Sequence, residues 1–128
     1  MKIMLCDIGS IEQLHNKGLL PLLNLLGGTI YIADLIFDGL SVKVQNQIQS
    51  QGDIEIVKFD SQSISSSLIF KTIANIHLAD CVSLLFCKQY GITIFSDENI
   101  VCEVANSSEI NQISTTEICE NLIKKMTG

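Results

Sequence analysis

The chain has 128 residues, of which 47% are hydrophobic and 17% are charged, and its formal net charge at pH 7 is −6. The high apolar content excludes an intrinsically disordered chain, and the length predicts a single domain over residues 1–128 with a buried core. All eight basic residues are lysines, so the composition excludes a protein that coats nucleic acid with surplus Lys and Arg.

The first half of the chain alternates between predicted strands and helices. An unbroken apolar run at residues 2–6 predicts a strand buried on both faces. Residues 10–26 are predicted as one or two short helices, and residues 29–32 as a β-branched strand. Apolar residues four apart predict one helix over residues 34–49. The alternating residues 53–59 predict a strand near an edge of the sheet.

The second half continues the alternation and ends on a helix. The predicted elements are a helix at residues 65–75, a buried helix at 78–90, a buried strand at 92–95, a helix that opens at 96–98, a weak strand at 109–113 and a last amphipathic helix. Ser114 and Glu117 have the spacing of a capping box that begins this last helix. The alternation predicts a three-layer α/β/α sandwich around a short, mostly parallel sheet.

The cysteines and the apolar segments indicate the cellular compartment of the protein. The five cysteines are odd in number and form no C-x-x-C pair, which favours buried reduced thiols over a disulfide framework or a zinc site. No charge-free apolar stretch is long enough to span a bilayer, and Asp7 interrupts the N-terminal apolar run before a signal core forms. We therefore expect a cytoplasmic protein without a membrane partner.

Three acidic residues lie where a parallel sheet would place a ligand-binding or catalytic site. Asp7 and Asp97 follow the two most apolar strands, and ligands bind at the carboxyl ends of such strands where the strand order reverses. Each acid alone is also explained as a helix N-cap. Asp80 lies near the start of a helix that is otherwise nearly free of charge, where it is either a dipole-favoured first-turn acid or a functional carboxylate.

Convergence of these acids would create a site for a hard divalent cation. Carboxylate oxygens are the ligands that Mg²⁺ and Mn²⁺ prefer. Such an ion neutralises phosphate charge and activates water for cleavage of a phosphodiester bond. Metal ions would then hold a phosphate in a protein that has no arginine to do so.

Three segments resemble the PIN-domain family, which includes the VapC-like toxins of bacterial toxin–antitoxin pairs. The segments are IHLADCVSLLFCKQYGITIFSDEN at residues 76–99, KIMLCD at the start, and IYIADLIFDGL at residues 30–40. The resemblance extends over nearly the whole chain through short motifs. It implies a PIN-like fold, a Mg²⁺- or Mn²⁺-dependent ribonuclease, RNA as substrate and an antitoxin-type protein partner.

The resemblance also implies roles for individual residues. Asp7 would be the first metal ligand, Asp80 the third, and either Asp97 or Glu98 the fourth, with Asp97 favoured. The auxiliary residues of the same site are Ser10, Ser96 and His77. His77 replaces a serine of many members, and is explained either as a surface or capping residue or as a proton relay beside the third acid.

The second acid of the family is missing from this chain. Gly39 occupies its slot, and Asp38 is the neighbouring residue. A shift of one residue turns a helical side chain by about 100°, so Asp38 reaches the site only if the helix is rotated or the alignment moves by one. The alternative is a catalytically degenerate PIN-like module that binds nucleic acid or protein without cutting.

Six leucines between residues 19 and 26 exceed what one helix face buries. Such a surplus predicts either a homodimer or partner interface, or a helix that is central to the core.

Overall fold

The structure, a computed structural model, describes residues 1–127. The strands are β1 (Ile3–Leu5), β2 (Ile30–Ala33), β3 (Ile54–Val57), β4 (Thr93–Phe95) and β5 (Gln112–Ile113). The α-helices are α1 (Ile8–Asn16), α2 (Asp34–Gly39), α3 (Val42–Gln51), α4 (Ser61–Ser67), α5 (Leu78–Tyr90), α6 (Asn99–Ser107) and α7 (Thr115–Thr127). Two 3₁₀ helices span Leu20–Leu26 and Leu68–Thr72.

All the strands pair in parallel in one sheet with the order β3-β2-β1-β4-β5. Successive side chains of a strand point to opposite faces of the sheet. Ile3, Met4 and Leu5 of the central strand are each 0% exposed, so both faces are covered by other elements. Helix α5 covers one face by packing against β1, β2 and β4. The prediction of an α/β/α fold around a parallel sheet is confirmed.

The strand order reverses between β1 and β4. The chain moves from β1 outward through β2 to β3, and then returns past β1 to form β4 and β5. The pairing continues one residue past the end of β1, since the Cys6 N–H donates to the carbonyl of Phe95, the last residue of β4, at 3.0 Å. A crevice at the carboxyl ends of β1 and β4 is therefore the expected ligand position, and Asp7 and residues 96–98 surround it.

The single helix predicted over residues 34–49 is two helices, α2 and α3. The apolar stripe correctly marks buried positions, but the chain leaves helical geometry at Leu40 (φ −76°, ψ 157°) and at Ser41. Ser41 then begins α3, because its hydroxyl accepts a hydrogen bond from the Val44 N–H at 3.4 Å. A side chain that caps the second helix thus stabilises the break.

Other predicted boundaries also move in the structure. The predicted helix over residues 65–75 is replaced by α4 followed by a 3₁₀ helix, because Asp60 caps α4 by accepting from the Ser63 N–H at 2.8 Å. Helix α6 begins at Asn99, one residue after the predicted opening at 96–98. The weak strand over residues 109–113 contracts to the two residues of β5.

The last helix begins with the predicted capping box. The Ser114 hydroxyl accepts from the Glu117 N–H at 3.2 Å, and the Glu117 carboxylate accepts from the Ser114 N–H at 3.1 Å. These reciprocal bonds satisfy backbone groups that the first turn leaves unpaired. Across residues 1–127, no helix combines the length and the hydropathy that a membrane span requires.

Three of the six leucines at residues 19–26 are buried. Leu20, Leu23 and Leu26 are in the core, and the 3₁₀ helix that carries them packs against α7. Leu25 is 45% exposed. The packing therefore supports the core explanation of this segment for three of its six leucines.

Candidate functional site

A cavity of about 510 Å³ opens at the crevice where the strand order reverses. It is lined by Asp7, Ile8, Gly9, Ser10, Gln13, Ile36, His77, Ala79, Asp80, Asp97 and Glu98. Four of these side chains are carboxylates. They come from the ends of β1 and β4, from the first turn of α5 and from the start of α6. The predicted convergence of Asp7, Asp80 and Asp97 on one crevice is thus seen in the lining.

Asp7 is the most firmly held of these acids. Its Oδ1 accepts from the Ser10 N–H at 2.9 Å, and its Oδ2 accepts from the hydroxyls of Ser10 at 2.5 Å and Ser96 at 2.6 Å. The backbone of Asp7 has a φ of 53°, a conformation rarely adopted by non-glycine residues. Strain of this kind persists only where surrounding contacts enforce it, and here the hydroxyls and the α1 N-terminus do so.

The two serines connect Asp7 to the loop that follows β4. The Ser10 hydroxyl accepts from the Asp97 N–H at 2.9 Å, and the Ser96 hydroxyl accepts from the Glu98 N–H at 3.0 Å. Each hydroxyl therefore donates to Asp7 and accepts from the loop. An ionised carboxylate has about four acceptor positions, so the three bonds at Asp7 leave one free for a ligand.

Asp80 projects from the first turn of α5 and is only 3% exposed. The Cys6 thiol donates to its Oδ1 at 3.3 Å. Throughout the described chain, no buried side-chain oxygen or nitrogen lacks a hydrogen-bond partner. The Asp80 Oδ2 accepts no hydrogen bond there, so this oxygen is not fully buried, and Asp80 lines the cavity.

Burial is the main cause that raises the pKa of the Asp80 carboxyl. The hydrogen bond from Cys6 opposes this rise, and the negative charges of Asp7 and Glu98 add to it. Burial, assisted by the charge of Asp80, also raises the pKa of the Cys6 thiol well above its ordinary range. The thiol therefore stays protonated and remains a donor at neutral pH.

We expect the variant Asp80→Asn to raise the free energy of unfolding of the metal-free protein at pH 7. An acid with a raised pKa in the folded state binds its proton more tightly there than in the unfolded chain. Stability is then lost as the pH rises through the folded pKa, and this loss is absent below the unfolded value near 3.8. Urea unfolding at pH 7 and near pH 4 measures the difference, which should shrink at the lower pH. A variant that is less stable than the wild type at pH 7 would contradict it, and Asp38→Asn is the exposed control.

Asp97 is placed differently from the other acids. It is exposed at the rim of the cavity, and both of its oxygens are engaged by Thr115 at the start of α7. Oδ1 accepts from the Thr115 N–H at 2.8 Å, and Oδ2 accepts from the Thr115 hydroxyl. Asp97 thus caps α7 rather than α6, the helix that follows β4 and whose N-cap residue is Glu98, and it remains part of the cavity lining.

Removal of the Asp97 carboxylate is therefore expected to affect stability more than ion binding. Asp97→Ala should lower the free energy of unfolding by about 1 kcal/mol, because the first N–H of α7 loses its partner. The variant Glu98→Ala at the neighbouring position removes a side chain that makes no hydrogen bond to any residue that the structure describes, and it should change stability by less than about 0.5 kcal/mol. Thermal unfolding of the two variants makes the comparison, and equal losses would contradict this assignment.

The remaining predicted residues separate into two groups. Glu98 and His77 line the cavity as exposed residues that precede α6 and α5. The His77 carbonyl accepts from the Asp80 and Cys81 N–H groups at 3.0 Å each, so its backbone starts α5. Asp38 is exposed and lies outside the cavity lining.

An isoleucine fills the space beside Gly39 in the second-acid slot. A Cβ built on Gly39 would lie 2.5 Å from the Ile8 Cδ1, which is too close for any real contact. Ile8 and Ile36 also form an apolar part of the cavity wall. This apolar wall was not predicted from the sequence, where its signal is the isoleucine directly after Asp7.

The side chains that could coordinate a metal ion in the cavity fit only one kind of metal site. Within residues 1–127, no group of three or more His, Cys, Asp and Glu side chains is arranged to hold a metal ion. Asp7 and Asp80 together offer two carboxylates to one cavity. Mg²⁺ commonly binds through one or two carboxylates and keeps several waters that a substrate phosphate can replace. The residues thus fit a water-rich divalent ion, and they do not fit a fully protein-coordinated one.

Sequence comparisons identify no relative. No protein-family model matches the chain, and no curated protein matches it. Structural comparison does find similar folds. One is a PilT N-terminus domain protein from the archaeon Sulfolobus solfataricus P2, with a TM-score of 0.56 and 12% identity over 100% of this chain and 96% of that chain. Another is in the structure of VapBC2 from Rickettsia felis bound to a DNA fragment from their promoter, with a TM-score of 0.63 and 18% identity over 89% of this chain and 98% of that chain.

These likenesses concern the fold, because both identities lie below the level at which function is shared reliably. The chain has the fold of PilT N-terminus (PIN) domains across almost its full length. The PIN-like fold predicted from KIMLCD and from residues 76–99 is confirmed.

Proposed function

We propose that this PIN-type domain is a Mg²⁺- or Mn²⁺-dependent nuclease that cleaves phosphodiester bonds of RNA at the Asp7–Asp80 cavity. The observation that carries the proposal is the presence of these two buried carboxylates at the topological switch point of the sheet. Carboxylates that are this deeply buried are seldom kept without a cation or another charged partner.

The residues of the chain have separable roles in this proposal. Asp7, fixed by Ser10 and Ser96, and Asp80, through its open oxygen, would hold the ion. When bound, such an ion neutralises phosphate charge and activates a water molecule. Glu98 and His77 lie at the edge of the same cavity, where they can contact the substrate or move a proton.

The proposal is tested by incubating the purified chain with a labelled single-stranded RNA and, separately, with DNA of the same sequence. Cleavage that requires Mg²⁺ or Mn²⁺ and stops on addition of a chelator is expected for RNA. Cleavage that persists in the chelator would contradict metal dependence, and cleavage confined to DNA would contradict the substrate.

The packing of Ile8 beside Gly39 favours a second candidate function. It leaves the second-acid slot apolar, so that the cavity lacks the second acid that the resemblance implies. The second candidate is a catalytically degenerate module that binds nucleic acid or protein. Binding of the labelled RNA without cleavage, at any divalent ion concentration tested, would support this candidate over the first.

We also propose an antitoxin-type protein partner. Its support is the resemblance of the chain to VapC-like toxins together with its structural likeness to a chain of VapBC2. The exposed Leu25 is one apolar residue that a partner or a second copy of the chain can cover. We propose as well that the chain forms a homodimer. Sedimentation velocity of the purified chain tests this second proposal, and a purely monomeric species would contradict it.

A further inference from the structure

We propose that the buried Cys6 thiol is a positioning residue of the cation site, because it fixes the orientation of the Asp80 carboxylate. This inference rests on the proposed function, since it assigns a role to Cys6 at the same cavity. The contact joins residues that are 74 positions apart in the chain. It also joins the two layers that form the cavity, since Cys6 follows β1 and Asp80 belongs to α5.

The environment of Asp80 makes this one contact important. The carboxylate is 3% exposed, and the thiol is its sole side-chain donor in the part of the chain that the structure describes. Asp7, in contrast, is held by three donors. The rotation of the Asp80 side chain is therefore set by a single hydrogen bond and by packing.

The direction of this hydrogen bond determines which Asp80 oxygen is available to a ligand in the cavity. The thiol engages Oδ1, and Oδ2 is left towards the cavity that Asp7 also lines. Two negative carboxylates at one site repel each other, and rotation of Asp80 is the simplest way to separate them. A donor behind Asp80 opposes that rotation, so the two carboxylates stay directed at the same ion.

Cys6 does not touch the cavity itself. It is 0% exposed, and the cavity lining includes its neighbour Asp7 but not Cys6. It therefore acts through Asp80 and has no contact with substrate or ion. Residues that orient a metal ligand in this way typically change metal affinity about 10- to 100-fold when they are replaced.

The test compares three variants by calorimetric titration with Mn²⁺. Cys6→Ala removes the donor and should weaken Mn²⁺ binding about tenfold. Cys6→Ser keeps a donor at the same position and should restore affinity to within about threefold of the wild type, since a hydroxyl replaces the thiol as donor. Cys87→Ala is the matched control, because Cys87 is a buried thiol of α5 that is 2% exposed and whose side chain makes no hydrogen bond within residues 1–127.

A measurement on the metal-free protein gives an independent readout. Infrared spectra of the wild type should show S–H stretching bands at lowered frequency for the two thiols that donate hydrogen bonds, Cys6 to Asp80 and Cys102 to the Ser96 carbonyl. Cys6→Ala should remove one of these bands and leave the Cys102 band in place. Asp80→Leu should return the Cys6 band to the frequency of the other buried thiols, whereas Cys87→Ala should leave both lowered bands in place.

The outcomes separate this inference from the proposed function. Wild-type binding that Cys6→Ala leaves unchanged, or that Cys6→Ser fails to restore, overturns the positioning role alone. A wild type that binds no Mn²⁺ overturns the proposed function and the positioning role together.

Discussion

Asp7→Asn is expected to lower kcat/KM for RNA cleavage at least about 100-fold, which corresponds to about 2.7 kcal/mol of transition-state stabilisation. The reason is electrostatic, because the amide cannot supply the negative charge that a divalent ion and its bound phosphate require. A steady-state assay with a short labelled RNA at saturating Mg²⁺ measures the effect.

The asparagine is chosen because it isolates the charge from the fold. Asp7 is the N-cap of α1, and asparagine caps helices about as well as aspartate does. The amide oxygen can still accept from the Ser10 N–H, and the hydroxyls of Ser10 and Ser96 can rotate to meet the new NH₂ group. Asp38→Asn is the control, because it removes one negative charge outside the cavity. Equal activities of the two variants would contradict a catalytic role for Asp7.

The double variant Ile8→Ala/Gly39→Glu is expected to tighten Mn²⁺ binding at least about tenfold, since the charge count of the ligands tunes affinity for such ions. A side chain at position 39 points at the Ile8 Cδ1, which lies 2.5 Å from the Cβ position. Truncation of Ile8 clears that space at modest cost, because Ile8 is 39% exposed. The new carboxylate would then enter the cavity wall beside Asp7.

The control for this gain is Ile8→Ala/Gly39→Gln. Glutamine has the shape of glutamate without its charge, so it reproduces any effect of the cleared space alone. Calorimetry with Mn²⁺ compares the two double variants. If the affinity for Mn²⁺ rises equally in the two double variants, or rises in neither, the side chain at position 39 does not contact the ion.

The sheet and its switch point were predictable because the signals are local. An apolar run followed by an acid marks β1 with Asp7 and β4 with Asp97, and parallel strands bring their carboxyl ends to one edge. The stripe over residues 34–49 identified the buried positions but not the break at Ser41. Periodicity indicates which side chains face the core. The cap at Ser41 interrupts the helical backbone, but the apolar side chains on either side of it still face the core.

The finer structure of the site depended on contacts that no local pattern contains. Thr115 engages Asp97 across 18 residues, and Cys6 engages Asp80 across 74. Asp97 has the position of a ligand in the sequence, but its oxygens are directed to α7 in the structure. The apolar contact of Ile8 with the Gly39 position likewise follows from the packing of α1 beside α2.

Calorimetric titration of Mn²⁺ into the wild type and Asp7→Asn at pH 7 measures whether Asp7 and Asp80 bind a divalent cation. We expect one ion per wild-type chain with a millimolar or tighter dissociation constant, and no measurable binding to Asp7→Asn while its thermal unfolding remains cooperative. Absence of binding to the wild type, or equal binding to both proteins, would contradict a cation site built on Asp7 and Asp80.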